Sequence, residues 1–303
     1  MSRSTWSSES AASGFQHQIF YTLIRLRAEW IVTALLRAVV LYYVLFRPSL
    51  RRRAEPYLSH RFPGTKGTKK MKLVYALDLE FGETLVERAK LGIVGPDSVM
   101  IHFPDKEELR AIAQEEKGML LMMAHVGGWQ VVMSALRFLN LPVNLLLHRD
   151  EGDVDRQYFE HGRIEERRLK IIDPADGFGG MLAVMDVLKK GEVVCVMGDR
   201  VFGNPKNTVD VRFLGDRVPV PFSAFKVASA TGSPVVVLFS FRSGPGKYIL
   251  TLDHVMRIPP GLGRSGQAFE PYAARFMKGL EAFVTAHPFQ FHNFYDMWQR
   301  IEE

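Results

Sequence analysis

Residues 118–140 read GMLLMMAHVGGWQVVMSALRFLN. Met119 to Met123 is an apolar run without a charge, and it ends at Ala124-His125. The glycine pair Gly127-Gly128 follows, then an apolar stretch, Trp129 to Leu139, that reads as a helix. Run, glycines and helix form the strand–turn–helix grammar of an α/β protein. A histidine at the carboxyl end of a buried strand stands where open α/β sheets place their ligands. Gln130 comes five residues after His125. On one continuous helix the two side chains would diverge by about 140°. They can meet only if His125 occupies the turn and Gln130 the first turn of the helix, a reversal that glycine permits because it lacks a Cβ. His125 could equally be no more than a residue at the end of a strand.

Two further apolar runs end in polar residues. Val143 to Leu147 ends in His148-Arg149, and Glu192 to Asp199 (EVVCVMGD) ends in Gly198-Asp199-Arg200. Between them Asp155–Arg168 reads as a charged helix, Leu169–Ile172 as a short strand and Gly180–Lys190 as a helix closed by Gly191. Phe222–Ala230 reads as a helix, Ser233–Phe241 and Tyr248–Met256 as strands, and Ala268–Ala286 as a helix with Pro271 in its first turn. Strands alternating with helices imply one α/β domain, with a mixed, mostly parallel sheet flanked by helices. Arg149 and Asp199 each admit a plain reading, as a surface arginine and as a turn residue. Arg200 could neutralise a phosphate or a developing oxyanion. Asp199 could orient Arg200 or the histidine.

The chain has 303 residues, a formal net charge of +6 and a pI near 9.4. A basic balance suits an anionic partner such as a phospholipid surface or a phosphorylated substrate. Aromatic residues are not interleaved with Lys and Arg along any stretch, so no nucleic-acid module is expected. The one cysteine, Cys195, lies inside an apolar run. It reads as a buried strand residue, with neither a disulfide framework nor zinc spacing around it. No metal or cofactor is expected.

Residues 1–14 are Ser-rich and read as disordered. From Phe15 to Phe46 the chain is apolar with helical period, uninterrupted from Trp30 to Phe46 save for Arg37, and Arg47, Arg51, Arg52 and Arg53 follow. Residues 15–53 therefore read as a membrane-associated helix with a basic patch, and residues 54–303 as the α/β domain. Seventeen residues stand at the short limit for a span. The helix can cross the bilayer or lie in the interface with its arginines at the lipid phosphates. A buried helix of a soluble domain has the same pattern. The arginine cluster places the bulk of the protein on the cytoplasmic side. Lys66 to Lys72 reads as a basic loop and Lys70 to Lys90 as a helix. The aromatic stretch Phe289 to Trp298 reads first as a packed lid over the core and second as aromatics at a membrane interface.

Ala124-His125-Val126-Gly127-Gly128-Trp129-Gln130 resembles the His-x4-acid block of the lysophospholipid acyltransferase superfamily. It is most similar to the bacterial lipid A biosynthesis acyltransferase branch, whose block reads His-Leu-Gly-Asn-Trp-Glu. This chain has glutamine where that block has an acid. The resemblance continues in order through Arg149 at a strand end, Asp199-Arg200, Phe213-Leu214-Gly215, the Gly232-Ser233-Pro234 strand start and the His287-Pro288 aromatic tail. It implies an acyltransferase on the cytoplasmic face of a bacterial inner membrane. The donor would be an acyl thioester of acyl carrier protein or coenzyme A, and the acceptor a lipid. His125 would be the general base and Gln130 its partner, with Arg149, Asp199 and Arg200 at the substrate. Gln130 could fix the imidazole tautomer through its carbonyl oxygen but brings no negative charge. With that charge missing, two other functions stay open: a non-catalytic lipid- or acyl-carrier-binding protein, and an esterase or thioesterase in which His125 activates water.

Overall fold

The computed structural model describes residues 14–26, 28–147, 169–173, 180–201 and 207–299. At the centre lies β2 (Met119–Met123), with all five residues buried. It pairs in parallel with β5 (Val193–Met197) on one side and β8 (Val235–Gly244) on the other. With β1 (Met100–His102), β3 (Val143–Leu146), β4 (Leu169–Ile172) and β9 (Lys247–Met256) it makes a seven-stranded sheet, in the order β1-β9-β8-β2-β5-β3-β4. The five strands from β8 to β4 run parallel, while β9 returns antiparallel to β8 and pairs in parallel with β1.

The uninterrupted apolar runs are explained by cover on both faces of the sheet. Successive residues of β2 point to opposite sides. Leu120 and Met122 pack with Val194 and Val196 under α3 (Pro48–Arg61), α4 (Gly67–Val94) and α9 (Glu270–Ala286). Met119, Leu121 and Met123 pack with Val193 and Cys195 against α5 (Lys106–Ala113) and the segment after β2. Cys195 belongs to this second layer, and burial pushes its thiol well above the ordinary range, as suits an inert structural cysteine.

Several local expectations change. The segment 129–139 is not one α-helix: α6 (Trp129–Val132) is a single turn, and Met133–Leu139 continues as a 3-10 helix. The Ser134 hydroxyl donates to the Val131 carbonyl at 2.8 Å, the local competition by which a short polar side chain disturbs an α-helical ladder. The helix expected from Lys70 begins earlier, at Gly67, so Lys69 joins the opening turn of α4 rather than a loop. The chain reverses at Phe62-Pro63-Gly64, with Gly64 at φ +75°, and lysine is a good helix former. A hairpin of β6 (Thr208–Phe213) and β7 (Asp216–Pro221) stands apart from the main sheet, turning at Leu214-Gly215 with φ of +50° and +93°. Pro219 and Pro221 masked β7 in the sequence; a two-stranded ribbon has an outer edge where a missing N–H costs nothing. The expected helix 155–168 lies outside the described residues.

The N-terminal apolar segment is two helices, α1 (Gly14–Arg25) and α2 (Glu29–Phe46). Val32, Leu36, Val40 and Val44 of α2 are buried at a four-residue spacing. Leu36 settles over Gly82 of α4, where a Cβ would stand 2.8 Å from its Cδ1. The opposite face of α2 carries exposed Trp30, Leu41, Tyr42, Leu45 and Phe46. The Arg51 guanidinium donates to the carbonyls of Val44 and Leu45 at 2.6 and 2.9 Å, satisfying the open end of α2.

Among the described residues the remaining α-helices between α4 and α9 are α7 (Met181–Lys189) and α8 (Ser223–Thr231), both on the first face.

Candidate active site

β2 delivers His125 to the carboxyl edge of the sheet, and β5, its neighbour, delivers Asp199 to the same edge. Two glycines make the His125 turn possible. Gly127 has φ +50°, and a Cβ there would lie 2.1 Å from the Ser240 carbonyl oxygen. At Gly128 a Cβ would lie 2.5 Å from the Tyr248 ring. The turn is pressed against β8 and β9, and only glycine fits that approach.

The His125 Nδ1–H donates to Asp199 Oδ1 at 2.8 Å, and the His125 backbone N–H donates to Asp199 Oδ2 at 3.1 Å. The Asp199 side chain is fully buried and that of His125 is 19% exposed. Burial alone would raise the Asp199 carboxyl. The charge and hydrogen bond of His125, then the charge of Arg200, outweigh it and hold the group below the usual carboxylate range. An ionised carboxylate on Nδ1 puts the ring proton there and leaves the lone pair on Nε2. Such an arrangement can accept a proton at Nε2, with its tautomer set by an acid.

Gln130 stands in the single turn of α6, 9% exposed. The orientation that spacing assigned to Gln130 is supplied at Nδ1 by Asp199, 74 residues further along the chain. Arg200 is also buried. Its Nε donates to Asn293 Oδ1 at 2.9 Å and its Nη2 to the His292 carbonyl at 3.3 Å. Arg149 lies outside the described residues.

His102 is on β1 at the far edge of the sheet, three strands from His125. Arg242, at the end of β8, makes ion pairs with Glu80, Glu83 and Glu87 along α4.

Sequence reasoning missed the segment 290–293. The aromatic tail does pack: Phe291, Phe294 and Met297 are buried, and the Tyr57 hydroxyl donates to the Pro288 carbonyl at 2.7 Å. Its polar residues meanwhile reach the site. Gly127 N–H donates to the Gln290 carbonyl at 2.8 Å, and His292 N–H donates to the His125 carbonyl at 2.7 Å. Burial pushes the His292 imidazole down to about 3, so it stays neutral beside His125. The available signal was the alternation Phe289-Gln290-Phe291-His292, a strand-like period with one polar side. Among the described residues, no three His, Cys, Asp or Glu side chains gather as a metal site.

No curated protein matches the chain. The model of the bacterial lipid A biosynthesis acyltransferases matches residues 12–300. That span takes in the apolar helices, the His125 turn, Asp199-Arg200 and the aromatic tail, and the chain therefore belongs to the bacterial lipid A biosynthesis acyltransferase family.

Proposed function

We propose that this acyltransferase moves a fatty acyl group from a thioester of acyl carrier protein or coenzyme A to a hydroxyl or amine of a lipid, with His125 as general base. The observation that carries the reading is the bond from His125 Nδ1 to the buried Asp199 carboxylate. Nε2 takes the acceptor's proton as its oxygen or nitrogen attacks the thioester carbonyl. Asp199 stabilises the imidazolium that forms. The tetrahedral intermediate then collapses, the carbon–sulfur bond breaks, and the proton on Nε2 passes to the departing thiolate. No acyl-enzyme is needed. Gln130 occupies the acid position of the family block as a neutral neighbour, because Asp199 already brings the charge. Arg149 and Arg200 are the basic groups assigned to the substrate in this proposal.

The exposed face of α2 supports attachment to the cytoplasmic face of a bacterial inner membrane. The buried stripe of α2 runs its whole length against the body of the protein. The opposite face presents Trp30, Tyr42 and Phe46, with exposed Arg47 and Arg52 beside it. A helix docked on one side and apolar on the other suits the plane of the interface better than a free span.

The test is an acyl-transfer assay in detergent, with labelled acyl carrier protein and acyl coenzyme A donors and a panel of lipid acceptors. Wild type is run beside His125→Ala. Transfer that disappears in His125→Ala supports the proposal. Free acid released without an acceptor would replace it with a hydrolase, and lipid binding without turnover would replace it with a binding protein.

A further inference from the structure

The dyad is not held by its own strands alone. His125 and Asp199 both lie past the ends of their strands, in loop segments that a sheet does not position by itself. One four-residue segment, 290–293, grips both. Its backbone takes the His125 turn from two sides: the Gln290 carbonyl accepts from Gly127 N–H, and His292 N–H donates to the His125 carbonyl. Between those bonds Val126 and Phe291 form an antiparallel bridge. The Gln290 side chain fastens the segment to β8, accepting from Arg242 N–H at 2.7 Å and donating to the Arg242 carbonyl at 2.9 Å.

Asn293 does the corresponding work for the acid. Its Nδ2 donates to the Asp199 carbonyl at 3.2 Å. Its Oδ1 accepts from Arg200 Nε at 2.9 Å and from Tyr295 N–H at 3.2 Å. One buried amide therefore fixes the backbone of Asp199 and the side chain of the residue after it.

We infer that residues 290–293 are a strap built into the catalytic machinery, and that Asn293 is a positioning residue which sets the Asp199–His125 geometry. The inference rests on the acyl-transfer reading for its kinetic consequence, though not for its structural one. A site of this kind works only while its groups hold within roughly 0.5 Å of the productive arrangement. Gln290 and the His292 backbone govern His125, and Asn293 governs Asp199. Both halves of the dyad thus move with one segment.

Asn293→Asp is the sharper variant. It is isosteric and keeps the acceptor for Arg200 and Tyr295, but it replaces the donor to the Asp199 carbonyl with an acceptor. Asn293→Ala removes both bonds without adding charge. The full-length protein in detergent, with histidines labelled by nitrogen-15, gives the His125 Nδ1–H resonance, assigned by its loss in His125→Ala. The same samples give kcat, KM and melting temperature. Both variants are expected to lower kcat roughly 10- to 100-fold with KM within about twofold, and to broaden or shift the Nδ1–H resonance. In Asn293→Asp the added negative charge favours protonated neighbours, so the acid limb of the pH–rate profile moves to higher pH; in Asn293→Ala it does not. A lower melting temperature with wild-type kcat and an unchanged resonance in both variants would overturn the strap. Should the wild type transfer no acyl group, the acyl-transfer reading fails and the resonance alone decides the strap.

Discussion

Asp199→Asn removes one charge and almost no volume, so its cost isolates what the carboxylate does. Both carboxylate oxygens are acceptors, one for the His125 ring and one for the His125 backbone. An amide has only one oxygen. If that oxygen stays on the ring, the new NH2 faces a backbone N–H, and a buried donor goes unpaired at about 1–3 kcal/mol. If the amide flips, its NH2 faces Nδ1, the ring proton moves to Nε2, and the base is lost. The charge loss can be sized separately. A unit pair about 4 Å apart at an effective dielectric of about 20 is worth about 4 kcal/mol, or about a thousandfold in rate. In the serine-protease template the same exchange costs about 10⁴. We expect kcat to fall 10³- to 10⁴-fold in the acyl-transfer assay, with a stability loss of about 1–3 kcal/mol by denaturant titration. Asp199→Asn that keeps a tenth of wild-type kcat would refute the dyad.

The other expectations follow from the same contacts. Gln130→Glu should change kcat by less than about tenfold, since Asp199 already holds Nδ1, while burying a second carboxylate lowers the melting temperature. Asp78, on α4, is lifted to about 7 by burial, with Arg53 opposing. A raised carboxyl contributes stability fully below the unfolded value near 4, and that contribution is lost as pH rises through about 7. Asp78→Asn should therefore gain nothing near pH 4 and up to about 4 kcal/mol above pH 7, as read by urea unfolding at the two ends. Gly127→Ala should cost about 3 kcal/mol or more, because its Cβ meets the Ser240 carbonyl at a left-handed φ. Trp30→Ser with Phe46→Ser should weaken flotation with anionic vesicles by about tenfold or more per residue, leaving transfer to soluble acceptor analogues unchanged.

What was legible in the sequence was whatever local physics repeats. β2, β3 and β5 announce themselves because a strand covered on both faces is apolar throughout, and Gly127-Gly128 marks the turn because nothing larger fits. α2 shows its length, but whether a face is covered depends on α4, which no window over residues 29–46 contains. Asp199 could be named as a residue able to orient the histidine, but not chosen over Gln130, for the same reason. Spacing draws attention to Gln130, five residues away, whereas Asp199 meets His125 only through the pairing of β2 with β5. Gln290 and Asn293 are further still, and amides among aromatics look like ordinary tail residues until the strap is seen. β7 was lost to its prolines, which argue against a central strand and say little about a ribbon.

The place of β2 in the sheet also sets a schedule for synthesis. Its two neighbours are made much later: Val193, the partner of Met119, comes 74 residues after it, and Val235, the partner of Leu120, comes 115 residues after it. At bacterial and eukaryotic translation speeds of about 5–20 residues per second, those gaps are about 4–15 s and 6–23 s. Until then a wholly apolar strand has been made with first both edges and then one edge unpaired, the arrangement that invites pairing with another chain. The nascent chain therefore passes through a period in which a chaperone, or an early-docked α3–α4 pair covering one face of β2, governs yield more than final stability does.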